Sequence, residues 1–185
     1  MFEVERKYRV DELQKYLDLL REIHADDGGQ QKQHDTVFLP KGTKTFKNYT
    51  VGMPIVRIRI EAKTATLTLK AGGNESFTHE IETGVEDPNA ASGIIKALGM
   101  EEVLEIVKTR QLFNYQGLTI SCDYVERLGA FIEIEKLVEN EPDIHNALEE
   151  IDTFAADTLG VSANMLEKER YDVLIERQGR SVANI

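Results

Sequence analysis

The chain has 185 residues, 41% of them hydrophobic and 30% charged, with a formal net charge of -11. That length suits one compact domain over residues 1–185, while so acidic a surface repels nucleic acid unless its cations are gathered in one place. No run of 18 apolar residues exists to cross a bilayer, and the single cysteine, Cys122, builds neither a disulfide framework nor a zinc-site spacing, so the expectation is a cytoplasmic protein with Cys122 as a small buried hydrophobe.

Residues 2–10 open the chain with period-two alternation, the mark of a strand with two different faces. Asp11 is placed to cap a helix carrying Leu13, Leu17 and Leu20. Residues 26–54, with several glycines and little patterning, read as a loop holding at most one short strand over residues 35–39. Alternation returns at 55–62, 64–70 and 75–83, with Ala71-Gly72-Gly73-Asn74 as a hairpin link. Asp87-Pro88 then gives an N-cap followed by proline at the first helical position, with Ile94, Ile95 and Leu98 inward and Gly99 past the end. Further strands are predicted at 103–113, 117–124 and 129–138, the first two joined through Asn114-Tyr115-Gln116-Gly117. A helix over residues 142–159 places Ile144, Leu148, Ile151 and Ala155 on one face, and a short one follows over residues 163–176. The class is α+β, a mainly antiparallel sheet with helices packed outside.

Splitting each strand by parity gives the informative pattern. One face collects Glu3, Glu5, Lys7, Arg57, Arg59, Glu61, Lys70, Glu80, Glu82, Lys108, Arg110, Asp123, Glu133 and Glu135, while the other is apolar. A solvated polar face accounts for alternation as such. It does not account for cations recurring with acids on strand after strand. In a barrel of about eight strands the interior holds side chains or one small ligand, and charges enclosed there must be paired or bound. Arginine forks and lysine point charges then suit a polyphosphate. Acids at the same depth imply a divalent metal between the two, with Mg²⁺ favoured by carboxylate and phosphate oxygens.

Glu3-Val4-Glu5-Arg6-Lys7 resembles the E-x-E-x-K opening of CYTH domains, and Arg57-Ile58-Arg59, Leu67-Thr68-Leu69-Lys70, Glu80-Ile81-Glu82, Lys108-Thr109-Arg110, Asp123, Glu133-Ile134-Glu135 and Glu169-Arg170-Tyr171 follow in family order. The resemblance implies a closed or nearly closed antiparallel β-barrel, a triphosphate tunnel. It implies Mg²⁺ or Mn²⁺ held by Glu3, Glu5, Glu80, Asp123, Glu133 and Glu135, and a triphosphate gripped by Lys7, Arg57, Arg59, Lys70, Lys108, Arg110 and Arg170. Lys7, Arg59 and Asp123 are the residues it puts at the reacting group. Within the family the sequence looks most like class IV adenylyl cyclases, which convert ATP to cyclic AMP and pyrophosphate. A triphosphatase acting on thiamine triphosphate, inorganic triphosphate or a nucleoside triphosphate is the alternative, and a non-catalytic ATP or polyphosphate sensor is the second. The expected partner is the small-molecule triphosphate, with no nucleic acid and no membrane; pairing of two copies through the outer helices fits this architecture.

Overall fold

The structure, a computed structural model, describes residues 2–43, 45–46, 52–71 and 77–182, with the side chains at 77–79 and 180–182 left aside. Among these residues it contains eight strands and four α-helices: β1 (Phe2–Val10), α1 (Leu13–Glu22), β2 (Asp26–Pro40), β3 (Ile55–Glu61), β4 (Thr64–Ala71), β5 (Phe77–Val85), α2 (Pro88–Ala97), β6 (Met100–Tyr115), β7 (Leu118–Val125), β8 (Gly129–Val138), α3 (Ile144–Thr153) and α4 (Tyr171–Val182). The strand pairings given by residue register are antiparallel, as short links between consecutive strands require. No helix among the described residues is long and apolar enough to cross a membrane.

The chain forms two compact units, one from residues 1–31, 75–78 and 109–168, the other from residues 32–74, 79–108 and 169–185. In the first unit, β8 lies between β1 and β7. The β6–β7 hairpin turns at Gln116 and Gly117, whose φ angles of 49° and 80° are both positive. Such a two-residue turn matches the twist of the strands it joins. The apolar face of these strands (Val4, Tyr8, Val10, Ile120, Cys122, Ile132, Ile134) packs against Tyr16 and Leu20 of α1 and against Ile144, Ala147 and Ile151 of α3. This is the main core. Each of its larger aliphatic side chains contributes roughly 1.5–3 kcal/mol by leaving water.

In the second unit, β3 lies between β2 and β4, and β4 pairs in turn with β5. Its apolar cluster is smaller: Phe38, Ile58 and Ile95 are buried, with Val56, Leu67, Ala91 and Met100 packed on them. The expected start of α2 is present, since the Asp87 carboxylate accepts from the backbone N–H groups of Asn89 and Ala90 ahead of Pro88.

Several expectations need correction. The segment read as a loop from residue 26 is the 15-residue strand β2. It escaped notice because the buried positions Gln33 and Asp35 are polar, so no apolar alternation marks them. Of the three residues expected on the inner side of α2 only Ile95 is buried; Ile94 and Leu98 are 61% and 78% exposed, because a ten-residue helix covering a small cluster turns one position inward and leaves its flanks in solvent. The position before α1 is Glu12 rather than Asp11, with no side-chain cap. The last helix starts at Tyr171, and residues 163–165 form only a tight turn. Gly72, Gly73 and Asn74 of the proposed hairpin lie outside the described residues.

Candidate functional site

In the first unit, pairing of β1 with β8 fixes which side chains meet. Glu5 stands directly opposite Glu135, Lys7 opposite Glu133, and Glu133 opposite Ser121 of β7. Directly opposite residues share a face. Glu3, Glu5, Lys7, Glu133, Glu135 and Asp123 therefore lie on the face away from α1 and α3. Arg110 of β6 joins them: its Nε and Nη2 donate to the two carboxylate oxygens of Asp123 at 2.7 and 2.6 Å, and Nη2 also reaches Glu133. Asp123 is fully buried. The fork of donors offsets the cost of burying the carboxylate.

The second unit repeats the device. Arg59 of β3 donates through Nε and Nη2 to both oxygens of Asp35 on β2, each at 2.7 Å. Burial alone would raise the Asp35 pKa, but the Arg59 hydrogen bonds and the charges of Arg59, Arg57 and Lys108 hold it below its ordinary value. Arg57 donates to the Thr68 hydroxyl at 3.1 Å and to Glu82 at 3.2 Å, and Lys70 pairs with Glu80. Lys108 is buried, its ammonium 5.1 Å from the centre of the Tyr171 ring at the start of α4.

Arg57 carries the clearest sign of an unmet demand. Its Nε is buried and finds no hydrogen-bond partner among the described residues. Desolvation, then the neighbouring Arg59 charge, push its pKa down from the ordinary arginine value, against the pull of Asp35, Glu80 and Glu82. Both effects disfavour its charged form, and the opposite charge of a bound anion would offset them.

The sequence-predicted residues are thus brought together in two sets. Glu3, Glu5, Lys7, Arg110, Asp123, Glu133 and Glu135 share the polar face of the first unit. Arg57, Arg59, Lys70, Glu80 and Lys108 belong to the second. Arg170 is on no strand; it precedes α4, pairs with Asp172 and stacks 5.3 Å over the Phe46 ring. Glu82 and Glu61, also on the polar face of the sequence pattern, accept from Arg57 and Gln33 respectively. Asp35 and Gln33 went unlisted by sequence reasoning. The available signal was their period-two spacing with Val37 on a polar stretch.

The donor set suits a hard divalent cation. Carboxylates are the oxygen ligands that Mg²⁺ and Mn²⁺ prefer, and Glu5 facing Glu135 sets two like charges together, which is unfavourable without a cation nearby. Among the described residues no three acidic, histidine or cysteine side chains come together so as to hold a metal ion by themselves. Mg²⁺ characteristically takes one or two carboxylates and completes its shell with water and phosphate oxygens.

A model of the CYTH domain matches residues 1–168. A Methanocaldococcus jannaschii protein, provisionally named an adenylate cyclase, is 29% identical over 82% of this chain and 86% of its own length. The solved structure of a Pyrococcus horikoshii protein is similar at a TM-score of 0.78, with 29% identity across 95% of this chain and 99% of the other. A Hippeastrum protein, provisionally called an adenylyl cyclase but with dominant triphosphatase activity, shares the fold at a TM-score of 0.62 and 16% identity, over 96% and 95% of the two chains.

Proposed function

Because this chain belongs to the CYTH domain family, we propose that it is a cytoplasmic, divalent-metal-dependent enzyme that processes triphosphates, acting as a class IV adenylyl cyclase on ATP. In this proposal residues 1–185 work as one domain whose strands close into a barrel around a triphosphate tunnel. The observation that carries the reading is the sorting of the strand-borne candidates onto polar faces away from the helix-packed cores, with the buried, unsatisfied Nε of Arg57 among them.

Glu3, Glu5, Glu133 and Glu135, with Asp123 and Glu80 in support, would hold Mg²⁺ or Mn²⁺. Such an ion would supply Lewis-acid stabilisation of the negative charge that builds on the phosphate oxygens. Lys7, Arg57, Arg59, Lys70, Lys108 and Arg110 bind and orient the phosphate chain, with Arg170 as an outlying cation. Phosphoryl-group chemistry asks mainly for alignment and charge neutralisation. Arg59 and Arg110 meet that demand because each guanidinium is already held by a carboxylate, on Asp35 and Asp123 respectively, and needs little reorganisation when phosphate arrives. Lys7, buried and opposite Glu133, is set on the same face as those acids and would bring its ammonium charge to the reacting group.

In the cyclase reaction the 3′-hydroxyl of ATP attacks the α-phosphorus and pyrophosphate leaves. The provisional name of the Methanocaldococcus jannaschii relative supports this reading. Hydrolysis of the terminal phosphate is the second reading, favoured by the triphosphatase activity of the Hippeastrum neighbour. Incubation with ATP and Mg²⁺ or Mn²⁺, reading cyclic AMP, pyrophosphate and orthophosphate together, separates them. Cyclic AMP with equal pyrophosphate is the expected result. Orthophosphate alone selects the triphosphatase, and binding without turnover selects a sensor.

A further inference from the structure

One step along the polar face from Asp35 and Arg59, Gln33 of β2 stands opposite Glu61 of β3. Two residues of strand separate the pairs, roughly 7 Å. Gln33 is buried, and its amide Nε2 donates to the Glu61 carboxylate. A carboxylate only accepts, so this contact fixes the amide orientation and commits the nitrogen to Glu61. The other end of the amide, Oε1, is buried and finds no partner among the described residues. Buried carbonyl oxygens are seldom left without a donor.

Beside this oxygen the Glu61 carboxylate supplies negative charge, with a neutral amide rather than a guanidinium across from it. A phosphate group is repelled from such a place. A hydroxyl or amino group that donates a hydrogen bond is welcomed by it.

We propose that Gln33 and Glu61 form a subsite for the non-phosphate part of an organic triphosphate, accepting hydrogen bonds from its hydroxyl or amine and so favouring an organic over an inorganic triphosphate. This rests on the reading that Arg59, one step away, grips phosphate. Discrimination through a hydrogen-bonding site is effective because a ligand lacking the donor leaves the buried acceptor unpaired.

The test compares ATP with tripolyphosphate by calorimetric titration in Mg²⁺, using wild type, Gln33→Met and Arg59→Ala. Gln33→Met keeps the side-chain length and removes the acceptor. It is expected to weaken ATP by about 2- to 12-fold, the range for one lost hydrogen bond, and to leave tripolyphosphate unchanged. Equal weakening of both ligands, or no weakening of ATP, overturns the subsite. Should Gln33→Met fold poorly, Glu61→Gln removes the repelling charge and is expected to shift the ATP-to-tripolyphosphate affinity ratio towards tripolyphosphate; an unchanged ratio overturns the proposal. Arg59→Ala is expected to weaken both ligands. If it weakens neither, the phosphate assignment of Arg59 fails and the subsite falls with it.

Discussion

Asp35 and Arg59 stand directly opposite each other on β2 and β3, and both carboxylate oxygens of Asp35 accept from the one guanidinium, at 2.7 Å each. The pair holds the arginine plane fixed on a strand instead of leaving it to solvent. Arg110 and Asp123 do the same in the other unit. Each acid costs a desolvation penalty that its arginine offsets, so neither partner tolerates removal of the other.

Asp35 makes the fold acid-sensitive. Its folded pKa lies below the ordinary 3.8, so its stabilising contribution is present above the unfolded value and is lost as pH falls through the folded one. Asp35→Asn is expected to cost about 3–5 kcal/mol at neutral pH and to flatten the decline of stability below pH 3.8. Urea unfolding across the acid range checks this; curves for the two proteins running parallel would contradict it.

Glu5 and Glu135, opposite each other across β1 and β8, are expected to carry metal dependence. Glu5→Gln and Glu135→Gln should each reduce Mg²⁺-dependent turnover by on the order of 100-fold or more, since even outer partners of metal ligands are worth 10–100-fold. Thermal stabilisation by Mg²⁺ with tripolyphosphate should shrink in both. Turnover and stabilisation equal to wild type would remove these residues from the site.

Cys122 is expected to be inert. Burial first, then the Asp123 charge, push its thiol up to about 12, and the reactive thiolate is therefore scarce at neutral pH. A disulfide reagent at pH 8 should label it only at the rate at which the protein opens. Rapid stoichiometric labelling of the folded protein would refute the placement of Cys122 in the core.

Ile132 and Glu133 separate packing from function, since adjacent strand residues point to opposite faces. Ile132 is fully buried against the helices. Ile132→Ala should cost about 2–5 kcal/mol of stability while tripolyphosphate affinity, measured well below the melting transition, stays at the wild-type value. A parallel loss of affinity would show that the two faces are not independent.

The sequence was most legible where both faces of a strand obeyed the rule of one polar and one apolar side. β1 and β8 were read with their observed bounds, because Val4 and Ile132 alternate with Glu5 and Glu133. β2 broke the rule: Gln33 and Asp35 are buried because Glu61 and Arg59 meet them from β3, a long-range pairing that no local pattern announces. Helix α2 showed the reverse error. Its start was readable from Asp87 and Pro88, since capping is local, but how far its apolar stripe would be covered depended on the small cluster around Phe38 and Ile58. The candidates, Asp123 among them, were nameable from the sequence, whereas Asp35 and the pairing of Asp123 with Arg110 became visible only in the structure.

The most direct measurement is the affinity for tripolyphosphate in Mg²⁺ of wild type, Lys7→Met and Arg57→Met, one cation taken from each unit. If Lys7 and Arg57 each bind phosphate, wild type binds and each variant binds at least about 10-fold more weakly, as expected for losing a hydrogen bond to a charged group. Wild-type affinity in both variants, or no binding by the wild type, would contradict the account.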